Sequence, residues 1–233
     1  MSEAARRHVA LACRVLADNG LDDKIWGHVS IRDAQDRGVW LKRAEIGLNE
    51  VTPDDVQLVS WTGDVLHGHG DRHSEWPIHT GVMRTREDVN SVVHAHPEDA
   101  TALGASGVPL RPISHEGCCF GGRDVPRFDE VTRLITTPDL GKRVAATLGD
   151  RDALLLVNHG IVTAGTDHRD AVFRAITLEV GARKQRKTQE HGGMPSWTSL
   201  DEAKIKQDQI YTLPAMHAAW AYLVRQLPNP IEA

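Results

Sequence analysis

His94-Ala95-His96 is the segment of this chain with the clearest chemical meaning. It closes the run Val89-Asn90-Ser91-Val92-Val93, which reads as a strand stopped by Pro97. Side chains two apart on a strand face the same way. Both imidazoles therefore enter one space, as a shared divalent cation requires. His159 ends a second strand-like run, Asp152-Ala153-Leu154-Leu155-Leu156-Val157-Asn158, and Gly160 after it permits close backbone approach. Three histidines with one open position are the pattern of a catalytic metal site. The same His-x-His spacing also fits two ordinary core or surface histidines without a metal, and spacing alone ties His159 to them less closely. Glu75 follows Ser74 where a helix is expected to begin. A carboxylate there can act as general acid or base beside a metal, or it can simply complement the helix dipole. His79, one turn on, packs or hydrogen-bonds Glu75.

Weaker candidates surround these. Gly27-His28-Val29-Ser30 is a Gly-led turn into a strand whose donors could hold an anion; the alternative is an ordinary turn. Lys42-Arg43 could clamp a carboxylate or form a solvated face. His67, His69 and His73 lie in a Gly-rich stretch that is either a second metal site or a polar loop. His115-Glu116-Gly117 could supply a proton donor. Cys118-Cys119 reads as structural, since no neighbouring motif suggests an activated thiolate. The phosphate-binding P-loop, the dinucleotide Gly-x-Gly-x-x-Gly and the Gly-x-Ser-x-Gly elbow do not occur.

The elements that must carry these residues are legible from periodicity. Residues 4–19 predict a helix with Val9, Ala12, Cys13 and Leu16 on one face and Asn19-Gly20 as its stop. Residues 28–32 alternate as a strand, with 38–41 as a hairpin partner; 56–61 predict another strand. Residues 75–86 predict a helix capped by Ser74. Further helices are expected from Pro97 through Leu103, from Pro138 to Thr147, and from Asp167 or Arg169 to about Glu190. The apolar run 152–160 predicts a buried central strand. Residues 191–199 read as a linker, and a C-terminal helical extension covers about 200–226 with Tyr211, Leu213, Trp220 and Leu223. The whole, 1–233, reads as a single α/β domain with helices over a mixed sheet.

Composition narrows the function classes. The 233 residues hold 40% hydrophobic and 25% charged residues, the proportions of an ordinary globular protein. Such a chain buries roughly 70–75% of its unfolded surface and needs no disulfide staples. The formal charge of -5 and the sequence pI near 6.2 are not the footprint of a nucleic-acid binder. No apolar run reaches the ~20 residues of a membrane span. The first twenty residues are amphipathic and charged, unlike a signal peptide. Three cysteines make no disulfide framework, so a reducing cytoplasm is expected. The unusual feature is 13 histidines, several of them clustered.

Four segments in order resemble the class II aldolase/adducin family. They are Gly27-His28-Val29-Ser30-Ile31-Arg32, Ser74-Glu75-Trp76-Pro77-Ile78-His79, Asp88-Val89-Asn90-Ser91-Val92-Val93-His94-Ala95-His96-Pro97 and Leu154-Leu155-Leu156-Val157-Asn158-His159-Gly160. Each is weak alone; their order and spacing are specific, and the resemblance spans about residues 4–190. It implies a three-layer α/β/α fold around a nine-stranded, mostly antiparallel sheet. It also implies a ring-shaped homotetramer with active sites at subunit junctions. One divalent ion per subunit is implied, zinc as in the aldolases or manganese as in the pyridine-dicarboxylate branch; histidine ligation permits either. His94, His96 and His159 match the metal ligands, and Glu75 matches the acid/base glutamate. The adducin branch lacks these ligands, whereas this chain keeps all three.

The departures bear on substrate. Sugar-phosphate members have Asn where His28 stands, a Thr-Pro-Ser-Gly-like phosphate turn near Leu41-Lys42-Arg43-Ala44-Glu45-Ile46-Gly47, and Ser-Ser where this chain has His73-Ser74. The Gly-His-Val-Ser variant is similar to the branch that decarboxylates hydroxylated aromatic or pyridine dicarboxylates. In the aldolases a tyrosine from a neighbouring subunit covers the substrate; His115 is its counterpart here. The resemblance therefore implies a metal-dependent lyase, with a carboxylate substrate chelated by the metal. His28, Ser30, Lys42, Arg43 and Ser74 line the substrate, and His28, Lys42 and Arg43 hold its second carboxylate. Glu75 or His115 returns a proton to the ring carbon. The alternatives are an aldolase or epimerase on a small sugar or its phosphate, and a non-catalytic adducin-like interaction domain.

Overall fold

The computed structural model describes residues 2–193 and 196–228. Met194 and Pro195 of the expected linker lie outside the described residues. Among the described residues, no helix is long and apolar enough to cross a membrane.

Helix α1 (Ser2–Asp18) buries Val9, Ala12, Cys13 and Leu16, the predicted face. It ends as Asn19-Gly20 requires. Gly20 takes a left-handed φ of 76°, and the Gly20 and Leu21 amides donate back to the Ala17 and Leu16 carbonyls. Strands β1 (His28–Arg32), β2 (Gly38–Lys42), β3 (Val56–Ser60), β4 (Val65–His67), β5 (Ser91–Ala95), β6 (Arg127–Phe128), β7 (Ala153–Leu156) and β8 (Gly160–Gly165) form one sheet. Its order is β4-β3-β2-β1-β5-β8-β7-β6. Every pairing is antiparallel except that of β6 with β7, which is parallel. The nine-stranded, mostly antiparallel sheet implied by the resemblance is thus corrected: the sheet is mixed and has eight strands among the described residues.

Alternation divides the apolar side chains between two cores. Val29, Trp40, Leu58, Val93, Ala95, Leu155 and Ile161 face α1, α3 (Glu98–Ser106) and α6 (His168–Glu190). Val39, Leu41, Val59, Val92, Leu154, Leu156 and Val162 face α2 (Trp76–Thr85) and α5 (Pro138–Leu148). The result is helices over both faces of a sheet. A four-residue helix, α4 (His115–Cys118), lies beside α6. The C-terminal extension is two helices, α7 (Leu200–Ile210) and α8 (Leu213–Gln226), broken where Thr212 caps α8 and Pro214 takes its first turn. Trp220 of α8 joins the α1/α6 core.

Helices α2 and α5 touch backbone to backbone. A Cβ placed on Gly81 would lie 2.4 Å from the Gly141 carbonyl oxygen. Gly81→Ala is expected to cost about 1–3 kcal/mol by overpacking. Denaturant unfolding checks this: a lower midpoint at unchanged slope is the expected result, and an unchanged midpoint would mean the helices separate freely.

Candidate metal centre

Sheet order does what local sequence cannot: it sets three separate segments side by side. Strands β1 and β5 pair in a register that places His28 opposite His94. Strand β5 also pairs with β8, Ala95 opposite Ile161, so the β7–β8 loop carrying His159 falls beside His96. That loop is tight. Asn158 has a left-handed φ of 57°, and the His159 amide donates to the Leu156 carbonyl at 3.0 Å. Gly160 is required here, because a Cβ would stand 2.4 Å from the Ala95 carbonyl oxygen and 2.7 Å from the His96 ring. A single continuous strand over 152–160 is corrected to this hairpin, with β8 as its unforeseen second arm.

Glu75 approaches from the opposite layer. It occupies the N-cap position of α2 itself, so the expected cap at Ser74 is corrected; Ser74 is exposed. The Glu75 carboxylate turns inward. Its Oε1 accepts the Ile135 amide at 2.7 Å. Its Oε2 lies 3.5 Å from Nε2 of both His94 and His159. One ligand atom from each of Glu75, His94, His96 and His159 falls within 4.8 Å of all the others.

The donor set suits a divalent cation. His94 Nδ1 is 2.9 Å from the Ile161 carbonyl oxygen, which places a proton on Nδ1 and leaves the Nε2 lone pair for the cluster. His96 Nδ1 lies 3.3 Å from an Asp23 carboxylate oxygen, and its Nε2 is 3.0 Å from His94 Nε2. His159 Nε2 is buried with no hydrogen-bond partner, a rare condition that a metal ion would resolve. Burial, then the neighbouring His94 and His159, pushes His96 down to about 4, so it stays neutral and able to ligate near pH 7. Burial by itself raises the Glu75 carboxyl; the neighbouring His159 and His94 outweigh it and hold the group well below the usual carboxylate range.

Behind the cluster, His28 and Ser30 are fully buried on the same face as His94. Both are tied to His79 rather than His79 to Glu75. His28 Nδ1 is 2.5 Å from His79 Nε2, and Ser30 Oγ is 2.6 Å from His79 Nδ1. His73, in the loop before α2, is buried rather than solvated, with its ring centroid 3.8 Å from that of His28. His67 and His69 are exposed and stay apart from the cluster.

Lys42 and Arg43 each have partners within the chain. Lys42 is buried, and its ammonium donates to the Ile25 carbonyl at 3.0 Å; burial first lowers its pKa to about 8. Arg43 is held by Asp55 at 2.8 Å and by the Ala44 carbonyl. Neighbours on a strand face opposite ways. Leu41 packs on the α2/α5 core and Lys42 turns to the other side, toward Ile25. His115 is exposed on α4 and takes no part in its own chain's cluster. Burial pushes the Cys119 thiol up to about 12, an inert form. Sequence reasoning missed Asp23, the Ile135 amide and the burial of His73 against His28; none of these three carries a local signal.

Fold and site together define a class: an α/β protein with a three-histidine, one-carboxylate cluster able to hold a divalent metal. Residues 7–185 match the model of the Class II Aldolase and Adducin N-terminal domain, and the chain belongs to that family. It is 34% identical over 186 residues to a 3,4-dihydroxyphthalate decarboxylase of Arthrobacter keyseri, covering 75% of each chain. It is also 34% identical over 221 residues to the enzyme of that name from Terrabacter sp. (strain DBF63), covering 91% of this chain and 89% of that one. Among solved structures, an aldolase II superfamily protein from Pseudomonas syringae superposes with a TM-score of 0.87. Its identity is 24%, with 97% of this chain and 92% of that one covered.

Proposed function

We propose that this protein is a divalent-metal-dependent carbon–carbon lyase that decarboxylates a hydroxylated aromatic or heteroaromatic dicarboxylate, with 3,4-dihydroxyphthalate the first substrate to try. The observation that carries the reading is the convergence of His94, His96, His159 and Glu75 on one buried point. The identity to dihydroxyphthalate decarboxylases supports the choice of reaction.

Loss of CO2 leaves an electron pair on a ring carbon, which must be drawn toward oxygen. His94, His96 and His159 would hold a divalent ion, zinc or manganese, which would supply the Lewis acidity for that charge. Glu75, ionised and anchored through Oε1, keeps Oε2 free to take the hydroxyl proton of the substrate and hand it to the ring carbon. Burial of Glu75 and His94 keeps water from competing for that proton. His28 and Ser30 line the substrate side. Exposed His115 and Ser74 are available to the substrate or to a neighbouring copy's site. The assembly we propose is a homotetramer with active sites at subunit junctions. All three cysteines are free, which suits a cytoplasmic setting.

The test offers 3,4-dihydroxyphthalate, a hydroxypyridine dicarboxylate and L-fuculose 1-phosphate to the metal-loaded protein side by side. CO2 from an aromatic dicarboxylate is the expected product. Aldehyde from the sugar phosphate alone would overturn the decarboxylase reading in favour of an aldolase. A protein that takes up no metal and is inert to all three would favour a non-catalytic interaction domain.

A further inference from the structure

Asp23 stands behind the metal cluster and is not one of the four groups whose ligand atoms lie within 4.8 Å of one another. Its Oδ2 is 3.3 Å from His96 Nδ1, while Nε2 of the same ring is 3.0 Å from His94 Nε2. The chemistry of the partners sets the protons. A carboxylate and a carbonyl oxygen only accept. The His96 proton therefore belongs on Nδ1, toward Asp23, and the His94 proton on Nδ1, toward the Ile161 carbonyl. Both Nε2 atoms then present lone pairs to each other, an arrangement that a shared cation turns from repulsive to binding. The Asp23 carboxylate is itself held by a closed turn. Lys24 takes a left-handed φ of 50°, the Trp26 amide donates to the Asp23 carbonyl at 2.9 Å, and Asp23 and Trp26 form a β-bridge. The buried Lys42 ammonium of β2 donates to the Ile25 carbonyl at 3.0 Å and ties that turn to the sheet. Burying an ammonium costs desolvation; what it secures here is the position of the turn.

We infer that Asp23 is a positioning residue of the metal centre: its carboxylate fixes the His96 ring as the Nδ1–H tautomer with Nε2 toward the cation, and Lys42 holds Asp23 there through the 23–26 turn. This deepens the metal-dependent lyase reading and rests on it. His94 obtains the same orientation from a backbone carbonyl of the neighbouring strand. His96 lies one residue past the end of β5, beyond that ladder, and a side chain takes the carbonyl's part. The other Asp23 oxygen, Oδ1, faces the Lys24 ammonium at 3.3 Å. That lysine is largely exposed, so solvent screens the pair and Oδ2 is left to His96.

Zinc affinity, measured by competition with a chelating indicator, tests this without turnover. Asp23→Ala is expected to weaken zinc binding about 10–100-fold, the usual worth of a partner behind a ligating histidine. Asp23→Asn, which can still accept from Nδ1, is expected to fall at the smaller end of that range. Lys42→Met is expected to weaken zinc binding in the wild type and to add nothing in the Asp23→Ala background, as groups acting in series do. Nitrogen NMR of the metal-free protein reads the tautomer. His96 is expected to carry its proton on Nδ1 in the wild type and to lose that preference in Asp23→Ala, with the unfolding midpoint unchanged. Wild-type zinc affinity in Asp23→Ala, or an unchanged His96 tautomer, overturns the inference. A Lys42→Met loss that persists without Asp23, or no loss at all, removes Lys42 from it. Should Asp23→Ala fail to fold, the affinity of Asp23→Asn decides. Asp23-dependent zinc binding in a protein that releases no CO2 keeps the inference and rejects the decarboxylase reading. A decarboxylase whose zinc affinity ignores Asp23 does the reverse, and a wild type that takes up no zinc ends both.

Discussion

Replacing His94 with alanine is expected to strip the metal and lower turnover by on the order of 10³-fold or more. Stabilising charge on the breaking bond is worth several kcal/mol, and each 1.4 kcal/mol is a factor of ten. His94 is the ligand to remove because it stands at the middle of the cluster. Its Nε2 lies 3.0 Å from His96 Nε2 and 3.5 Å from Glu75 Oε2, and its Nδ1 is committed to the Ile161 carbonyl. The measurement is metal stoichiometry after dialysis, alongside turnover. Full retention of both would end the metal-site reading. His94 is also fully buried, so its loss could disturb packing. His159→Ala, in the loop between β7 and β8, is the companion variant: metal loss with an unchanged unfolding midpoint separates ligation from stability.

Glu75→Gln is expected to lower kcat by about 10²–10⁴-fold, the usual worth of a positioned acid/base. The amide keeps the size of the side chain. Its carbonyl oxygen can still accept the Ile135 amide, so the α2 start holds its place. What disappears is the charge at Oε2, equidistant from His94 and His159. Steady-state kinetics at matched metal occupancy separates proton transfer from ligation. A lower kcat at full occupancy assigns the proton to Glu75; turnover equal to wild type at full occupancy would remove it from the chemistry and leave His115 as the candidate donor.

Much of the site could be read without coordinates because its parts are local. His94 and His96 share a face by strand geometry alone. The β1–β2 hairpin, the α1 stop at Asn19-Gly20 and the start of α5 at Pro138 follow from alternation, a left-handed glycine and a first-turn proline. Strand β8 escaped because one apolar run, 152–165, conceals a turn that only Asn158 and Gly160 mark. Strand β4 escaped because it is three exposed residues at a sheet edge.

The residue types in this chain settled that two histidines point one way and that a carboxylate begins a helix nearby. They could not settle which distant groups share that space. Asp23 behind His96, His73 against His28, the Ile135 amide on Glu75 and the withdrawal of Lys42 toward Ile25 all depend on strand order. Local sequence fixes direction through short-range backbone sterics. Which strand lies beside which is decided by burying two apolar faces at once, and that sum runs over the whole chain.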